Sequence, residues 1–288
     1  MPEGDTIFRT AVVLRRVLAG QRVTGFELTA PKMSAAVREE AIVGSLVDAV
    51  ESNGKHLFIT FDTPRRVVLH THMKMSGSWH VYRPGDRWWE PASEARAVIR
   101  ADHVVAACFH PPIVELLTEK ELGLHRVVRG LGPDIIRDVF DMDEAIRRLR
   151  SDEDRDVATA LLDQHAISGI GNVFKVEALF LGRTSPWAQV RDLDDAKVRE
   201  IVEHARRLIR LNRAGGQRRT RFGLNVRERM WVDERAGLPC HVCGTMVESG
   251  WHPDEVRKSW FCRACQNVLD VPKPAPVPAM HVRHRDRL

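Results

Sequence analysis

The chain has 288 residues, of which 43% are hydrophobic, and a formal net charge of +5. This length and apolar content are enough for two modest domains with packed cores. No apolar run approaches the roughly 20 residues that span a bilayer, and no basic segment followed by an apolar stretch begins the chain, so we expect an intracellular protein without membrane contact.

The first residues place an amine and carboxylates ahead of a predicted helix. Removal of Met1, which a small second residue usually permits, would leave the secondary amine of Pro2 next to Glu3. An α-amino group titrates at roughly 7.7 to 8.0, so a usable fraction is uncharged and nucleophilic, and a neighbouring carboxyl group can donate and take back a proton. The alternative is a plain helix start, in which Glu3 and Asp5 stabilise the N-terminus of a helix from Asp5 to Leu18.

Short alternating segments follow this helix and predict an antiparallel sandwich or barrel. The predicted strands are Arg22 to Thr29, Leu46 to Glu51, His56 to Phe61, Val67 to Thr71, Trp79 to Tyr82, Ala97 to Arg100 and Val104 to Phe109. Asn53-Gly54 is a strong hairpin signal, and it puts Lys55 directly after the turn. Lys55 is then either a ligand-contacting residue or an ordinary exposed lysine.

The loop from His70 to Trp79 is rich in polar and flexible side chains. Met73, Lys74 and Met75 lie in it, and methionines here either fill the core or act as wedges into a base stack. From Glu115 the pattern becomes irregular, which predicts a connection to the next domain.

The next part of the chain has helical periodicity. The predicted helices are Asp143 to Leu149, Val157 to Ala166, Val173 to Leu181 and Asp194 to Asn212. The turn Ser168 to Asn172 contains Gly169 and Gly171 before a helix, which suits phosphate binding, although a tight interhelical turn with Asn172 as N-cap explains it equally well. Nine arginines and one acid between Arg206 and Arg229 also favour phosphate contacts.

Four cysteines near the C-terminus have the spacing of a tetracysteine zinc site. Cys240-x2-Cys243 and Cys262-x2-Cys265 are separated by eighteen residues, and we expect them to hold one structural Zn²⁺. His241 and His252 are possible substitute ligands. Cys108 lies alone in an apolar segment and is expected to be a buried small hydrophobe.

Six motifs occur in the order and approximate spacing of one protein family. They are the start Pro2-Glu3-Gly4, the hairpin Lys55, the loop ending Met75-Ser76-Gly77, the segment Leu131-Gly132-Pro133-Asp134, the turn Gly169-x-Gly171-Asn172 and the four cysteines. On these motifs the chain resembles the formamidopyrimidine-DNA glycosylase and endonuclease VIII family of bifunctional DNA repair enzymes, from Pro2 to about Gln266.

The resemblance implies roles for single residues. Pro2 would form a Schiff base with the sugar C1′, and Glu3 would donate and shuttle protons. Lys55 would contact phosphate and assist β-elimination, and Arg257 would grip phosphate and assist δ-elimination. The residues implied to contact DNA are Lys74, Met75, Arg129, Gly169, Gly171 and Asn172.

Two departures from the family pattern concern how the gap left by a flipped nucleotide is filled. The segment Phe109 to His125 lacks the Arg-x-Phe pair of the formamidopyrimidine branch, and the Met75 loop lacks the Gln-Leu-Tyr wedge of endonuclease VIII. The start Pro2-Glu3-Gly4-Asp5-Thr6 is more similar to the endonuclease VIII-like branch, which favours oxidised pyrimidines.

The implied architecture is a mixed α+β, multidomain fold. It comprises an N-terminal antiparallel β-sandwich domain (1–128), a helix-two-turn-helix DNA-binding domain (129–232), a C-terminal tetracysteine zinc finger (233–267) and a disordered Pro-rich basic tail (268–288). The implied function is that of a bifunctional DNA glycosylase and AP lyase of base excision repair. It would act on damaged double-stranded DNA as a monomer in the cytoplasm, associated with the nucleoid.

Two alternatives stay open on the sequence. One is an enzyme of the same family that prefers 8-oxoguanine and formamidopyrimidines. The other is a non-catalytic, zinc-dependent DNA-binding protein, for which the cysteines and arginines would suffice. The second alternative gives no reason for Pro2, Glu3 and Lys55 to occur together.

Overall fold

The computed structural model describes residues 2–29, 31–33, 35–38, 41–223, 228–252 and 257–271. The N-terminal part consists of a long helix, two β-sheets and three short helices. Its elements are α1 (Gly4–Leu18), β1 (Gly25–Leu28), β2 (Lys32–Met33), α2 (Ala35–Arg38), β3 (Val47–Asn53), β4 (His56–Phe61), β5 (Val67–His72), β6 (Ser78–Tyr82), β7 (Ala95–Ala101), β8 (Val104–Phe109), β9 (Ile113–Thr118), α3 (Glu119–Leu124) and α4 (Arg126–Gly130).

The two sheets form the predicted sandwich. One has the strand order β1-β7-β8-β6, and the other has the order β2-β9-β5-β4-β3. Leu57 and Ile59 of β4 share one buried cluster with Ala106 and Cys108 of β8, so apolar side chains from both sheets fill the space between them. Cys108 is fully buried, as expected of a small hydrophobe.

Three details of the sandwich differ from the prediction. The segment from Glu115 was expected to be irregular, but Glu115 to Thr118 belong to β9, which lies in the interior of the five-stranded sheet. β2 pairs with β9 in parallel, so the sandwich is not antiparallel throughout. Asn53 pairs with His56, so Gly54 and Lys55 are the two turn residues and Lys55 lies at the tip of the hairpin.

A helical part follows and packs around a second buried cluster, which includes Ile146, Leu161, Phe174 and Ile201. Its helices are α5 (Met142–Leu149), α6 (Val157–Leu162), α7 (Asn172–Leu181) and α8 (Asp195–Leu211). Gly171 is the N-cap of α7, so the alternative with Asn172 in that position is wrong by one residue. α6 also ends at Leu162 and not at the predicted Ala166.

Helix α1 joins the sandwich to the helical part. Its Ile7 and Leu14 are buried in the sandwich cluster, whereas Phe8 packs against the helical cluster. The amide nitrogen of Gly4 donates a hydrogen bond of 2.9 Å to the carbonyl of Gly169. The first residues of the chain are therefore held where the two parts meet.

The C-terminal part is an antiparallel hairpin of β10 (Val247–Trp251) and β11 (Lys258–Cys262). Val268, the first residue of the predicted tail, is 2% exposed, and Arg263 donates to the carbonyls of Val268 and Leu269. The start of this segment is therefore in contact with the hairpin, and the boundary of the tail stays a prediction. Residues 272–288 lie outside the described part of the chain.

None of the helices in the described ranges combines the length and apolar character required to cross a membrane.

Candidate active site

Glu3 lies against the first turn of helix α7 and is fully buried. Its Oε1 accepts a hydrogen bond from the amide of Val173 at 2.9 Å, and its Oε2 accepts from the amides of Gly171 at 3.1 Å and Phe174 at 3.4 Å. The first amides of a helix have no intrahelical acceptor, and the partial positive charge at this end attracts a carboxylate. The carboxyl group next to Pro2 is thus held in one position.

Two glycines allow this close approach. A Cβ atom on Gly171 would lie 2.2 Å from Cδ of Glu3, so any larger residue would displace the carboxylate. Gly169 has a φ of +102°, which side-chain-bearing residues rarely adopt, and its carbonyl binds the Gly4 amide. The sequence predicted that these glycines contact DNA. The structure places both against the N-terminal segment, and their DNA contact stays a prediction.

Lys55 is brought to the same place by the β3–β4 hairpin. A Cβ atom added to Gly54 would lie 2.7 Å from Cβ of Ser168, so the hairpin tip rests on the turn that precedes α7. Burial lowers the pKa of Lys55 to about 8; the charge of Glu3 opposes this shift, and those of Arg257 and Arg218 add to it. Lys55 therefore lies within electrostatic range of Glu3 and both arginines.

Arg218 is a site residue that the sequence did not single out. It donates two hydrogen bonds to Asp5, at 2.6 Å and 3.0 Å, and its Nη1 lies 3.7 Å from Oε1 of Glu3. Its guanidinium also covers the ring of Phe174 at 5.2 Å. A fully buried Asp5 needs a cationic partner, and Arg218 provides it. The burial of Asp5 cannot be read from the sequence, so no sequence pattern indicated this arginine.

The arginine-rich segment that includes Arg218 is less available to phosphate than its composition suggested. Arg210 and Arg213 pair with Asp138 at 2.8 Å and 2.7 Å, and Arg206 donates to the carbonyls of Arg137 and Asp138. These side chains fasten α8 to the loop before α5. Their contact with phosphate stays a prediction.

Glu177 and Asp233 form a second pair of buried acids, within electrostatic range of Glu3. Glu177 of α7 accepts hydrogen bonds from the amides of Trp231, Val232 and Asp233, all at 2.8 Å. Burial raises the pKa of Asp233 to about 8, and the charges of Glu177 and Glu3 raise it further. No local sequence pattern indicates this pair, since the contact joins segments more than fifty residues apart.

The residues predicted to enter the base stack lie in the loop between β5 and β6. Met75 is 67% exposed, whereas Met73 is 2% exposed and belongs to the core, so the two methionines have different environments. Lys74 has a φ of +43° and donates its amide proton to Nδ1 of His72 at 3.1 Å. Arg129 lies exposed in the last turn of α4.

Asn172 connects the first turn of α7 to the C-terminal hairpin. Its side-chain Nδ2 donates to the carbonyl of Lys258 at 3.1 Å. Lys258 begins β11, and Arg257 directly precedes it. This contact holds the hairpin so that Arg257 comes within electrostatic range of Lys55.

The four cysteines come together at the base of this hairpin. Their sulfur atoms all lie within 4.8 Å of one another, with Cys240 to Cys265 at 3.9 Å and Cys243 to Cys262 at 3.4 Å. A tetrahedral zinc ion with bonds of about 2.3 Å requires sulfur atoms about 3.8 Å apart, so the donor set fits a structural metal.

The substitute ligands considered from the sequence do not take part in this cysteine group. Both ring nitrogens of His252 have other partners, because they form hydrogen bonds with Asp156 at 3.1 Å and with Ser259 at 2.7 Å. His241 does not belong to the group either.

The fold combines a β-sandwich, a helical domain in which the first turn of α7 holds Glu3, and a four-cysteine hairpin. This combination defines a DNA glycosylase type of fold. The structure matches that of Lactococcus lactis Fpg (MutM) in complex with a DNA that contains N7-benzyl-Fapy-dG. The TM-score is 0.76 at 18% sequence identity, over 93% of this chain and 100% of that one. At this identity the match concerns the fold alone.

Sequence comparisons define the family. Residues 1–112 match the formamidopyrimidine-DNA glycosylase N-terminal domain, and residues 131–222 match the formamidopyrimidine-DNA glycosylase H2TH domain. The chain is 36% identical over 270 residues to Endonuclease 8 2 of Mycobacterium bovis, covering 92% of this chain and 100% of that protein. It is 34% identical over 268 residues to DNA-(apurinic or apyrimidinic site) lyase Nei2 of Mycolicibacterium smegmatis, covering 93% and 100%. The chain belongs to the formamidopyrimidine-DNA glycosylase and endonuclease VIII family.

Proposed function

We propose that the chain is a bifunctional DNA glycosylase and AP lyase of base excision repair, which removes oxidised bases through an N-terminal Pro2 amine. The observation that carries this proposal is the fixed position of Glu3, buried on the first turn of α7 within electrostatic range of Lys55. The relatives named as endonuclease 8 and as an AP lyase support the same reaction class.

Pro2 would act as the nucleophile after Met1 is removed. Its uncharged nitrogen attacks C1′ of the damaged nucleotide, the bond from C1′ to the base breaks, and the base leaves with a proton that Glu3 supplies. The proline nitrogen then loses its proton, and the C1′–O4′ bond breaks as O4′ takes up a proton, which opens the sugar ring and leaves a cationic iminium between the nitrogen and C1′. Because the attacking amine is secondary, this iminium has no N–H proton to lose and cannot become neutral. The base must first leave the stack, which costs a few kcal/mol.

The strand breaks in two eliminations. The iminium acidifies the C2′ hydrogen, and loss of that proton expels the 3′ phosphate; a second elimination expels the 5′ phosphate. Lys55 and Arg257 would hold these phosphates, Lys55 in the β-step and Arg257 in the δ-step. The electrostatic effect of Arg257 on Lys55 supports their action on the same strand of DNA.

The remaining predicted residues would hold the DNA. Asn172, Gly169 and Gly171 would contact the backbone beside the lesion, and Arg129 would contact the DNA through its exposed side chain. Met75 and Lys74 would fill the gap left by the flipped base, and the exposure of Met75 supports that role.

The assembly that we propose is a monomer on damaged duplex DNA. One structural Zn²⁺ bound by Cys240, Cys243, Cys262 and Cys265 would fold the hairpin that carries Arg257. As a repair enzyme of genomic DNA, the protein would work in the cytoplasm at the nucleoid.

Cleavage of matched duplexes that carry thymine glycol or 8-oxoguanine tests the proposed function and its preference for oxidised pyrimidines. We expect at least tenfold faster single-turnover cleavage of thymine glycol by the protein with a free Pro2. The reverse order would favour the purine-preferring alternative. If both duplexes are bound and neither is cleaved, the non-catalytic alternative would be correct.

Pro2→Gly provides the variant for this comparison. We expect it to lose cleavage while it keeps most of its DNA affinity, because glycine leaves the phosphate contacts in place. Cleavage that is unchanged in Pro2→Gly would contradict the assignment of the nucleophile.

A further inference from the structure

A group of polar side chains lies on the outer face of the five-stranded sheet, away from the sandwich core. Side chains alternate along a strand, so His70 and Glu115 point outward where Leu69 and Leu116 point into the core. His70 and Glu115 are direct partners across β5 and β9. His125, at the junction of α3 and α4, reaches the same place.

The three side chains have the geometry of a metal-binding group. Nδ1 of His70 lies 2.8 Å from Oε2 of Glu115, and Nε2 of His125 lies 3.2 Å from the same oxygen. All three ligand atoms are within 4.8 Å of one another. Zinc bonds to nitrogen and oxygen are about 2.0 to 2.2 Å, which requires tetrahedral ligand atoms to be about 3.3 Å apart. Small side-chain shifts would meet this requirement.

The group opens into a cavity of about 420 Å³, whose lining also includes the cations Lys32 and Arg96 and the apolar Ile113 and Val127. The side chains of His70 and Glu115 are 1% and 8% exposed, and that of His125 is 22% exposed. A buried histidine and carboxylate therefore face a space with room for a further ligand. Three protein ligands and one open position are the arrangement of a non-structural zinc site.

One cation already lies near the carboxylate. Nζ of Lys32 is 3.7 Å from Oε1 of Glu115, and the Lys32 side chain is 85% exposed. An exposed lysine of this kind contributes little to stability and can turn into solvent. It occupies the other carboxylate oxygen and leaves Oε2 between the two histidines.

His70 also has the outer contact that metal-bound histidines usually have. Its Nε2 lies 2.8 Å from Nδ1 of His56, which is itself buried. If Nδ1 of His70 binds a metal, Nε2 carries the proton and donates it to His56. His56 directly follows Lys55, so the cluster is connected to the strand that positions a proposed catalytic residue.

We propose that His70, Glu115 and His125 bind a divalent first-row metal ion of the zinc type, with its fourth position open to the cavity. This site is separate from the four cysteines and does not depend on the proposed function. The ion joins β5, β9 and the α3–α4 junction, and it fixes His56 through His70.

Cobalt binding to the full-length protein tests this proposal. The cysteine group is first filled with one equivalent of Zn²⁺, and the protein is then dialysed against Co²⁺ and its bound cobalt is measured. We expect one equivalent of Co²⁺ with the weak visible absorption of nitrogen and oxygen ligands and no intense thiolate-to-cobalt band. His125→Ala and Glu115→Gln should each lose this equivalent.

His103→Ala is the matched control, because His103 is an exposed histidine of the same sandwich and should leave cobalt binding unchanged. His125→Ala removes a 3.4 Å contact to the Val128 amide; Glu115→Gln keeps its side-chain volume and gives an independent answer if α4 is disturbed. If the wild-type protein does not bind this equivalent of cobalt, the three side chains form a hydrogen-bonded cluster and not a metal site. Equal binding by the wild type and both variants would place the cobalt elsewhere. Either result would overturn the proposal.

Discussion

The surrounding fold changes the acid–base chemistry of Lys55. Burial lowers its pKa to about 8, and Arg257 and Arg218 contribute in the same direction although Glu3 opposes them. Near neutral pH the side chain is therefore cationic but close to its titration point. A phosphate group that binds it would raise its pKa again, so DNA affinity should depend on pH.

The pH dependence of DNA affinity tests this role of Lys55. Above pH 8 the free enzyme must take up a proton to restore the cation, so its affinity should fall by at most about tenfold for each pH unit. Lys55→Arg stays charged and should lack this decrease. The measurement is the Kd of a duplex with an uncleavable abasic analogue from pH 7 to 9.5. Other groups titrate in both proteins, so identical profiles would show that Lys55 does not contact phosphate.

The pKa of Asp233 is raised by the fold, whereas that of Lys55 is lowered, and the shift predicts how stability depends on pH. Its pKa rises from an ordinary value of 3.8 to about 8, first because of burial and then because of Glu177 and Glu3. The folded state then holds a proton that the unfolded state releases between these values. This group's contribution to the free energy of unfolding is present below about pH 4 and is lost as the pH rises to 8, by up to about 1.4 kcal/mol per pH unit.

Asp233→Asn should remove this pH dependence because its amide cannot ionise. We expect the variant to be more stable than the wild type at pH 9, with a smaller fall in Tm between pH 5 and 9. Thermal unfolding followed by circular dichroism measures both. Parallel Tm curves for the two proteins would contradict a protonated Asp233.

At the scale of elements, the turn before α7 decides where Glu3 lies. The turn carries two glycines, and one of them leaves no space for a side chain beside the carboxylate. The sequence predicted the turn and its position before a helix. It could not predict that the ligand of the helix N-terminus is the chain's own Glu3, because that contact spans about 170 residues.

Gly171→Ala tests the turn. Its Cβ would meet Cδ of Glu3 at 2.2 Å, so Glu3 should be displaced, with a loss of about 1 to 3 kcal/mol in the free energy of unfolding. Gly123→Ala is the matched control, because a Cβ on this helical glycine meets nothing within 4 Å. The free energy of unfolding in urea and the single-turnover rate of base excision should both be lower in Gly171→Ala and unchanged in Gly123→Ala. Full activity of Gly171→Ala would show that the position of Glu3 is not required.

The strands that are buried along their whole length were predicted most accurately. β4 and β8 are buried along their whole length and were predicted with the observed bounds. β9 was missed because Glu115 interrupts its apolar residues, and the histidines that pair with it come from distant segments. β2 has two residues and owes its strand conformation to β9, so no local pattern indicates it.

For the whole molecule, the sequence motifs identified the family correctly, whereas the pairing of charges between its parts was not predictable. Pro2, Glu3, Lys55 and Arg257 belong to three separate parts of the chain, and the motifs predicted them as site residues, which stays a prediction. Arg218 was hidden in a segment rich in arginine. Composition cannot say which arginines meet acids within the fold, and here Asp5 and Asp138 take several of them.

Loss of the proposed cysteine-bound metal should act on the whole molecule through the hairpin. Cys243→Ala removes one sulfur of the cysteine group, and we expect it to unfold the hairpin, displace Arg257 and weaken DNA binding by about 100-fold or more. Cys108→Ala, which changes a cysteine in the sandwich core, should bind DNA normally. Fluorescence anisotropy with a labelled duplex and metal analysis of both variants give the comparison. Normal affinity of metal-free Cys243→Ala would refute a structural role for the metal.

The most direct test of the account as a whole is reductive trapping on an abasic site. Full-length protein, shown by mass spectrometry to begin at Pro2, is incubated with a duplex that carries an abasic site in the presence of borohydride, and the covalent product is mapped by peptide analysis. We predict one cross-link, between the nitrogen of Pro2 and C1′ of the sugar. A cross-link at Lys55 or another lysine, or no cross-link although the duplex is bound, would contradict the proposed mechanism.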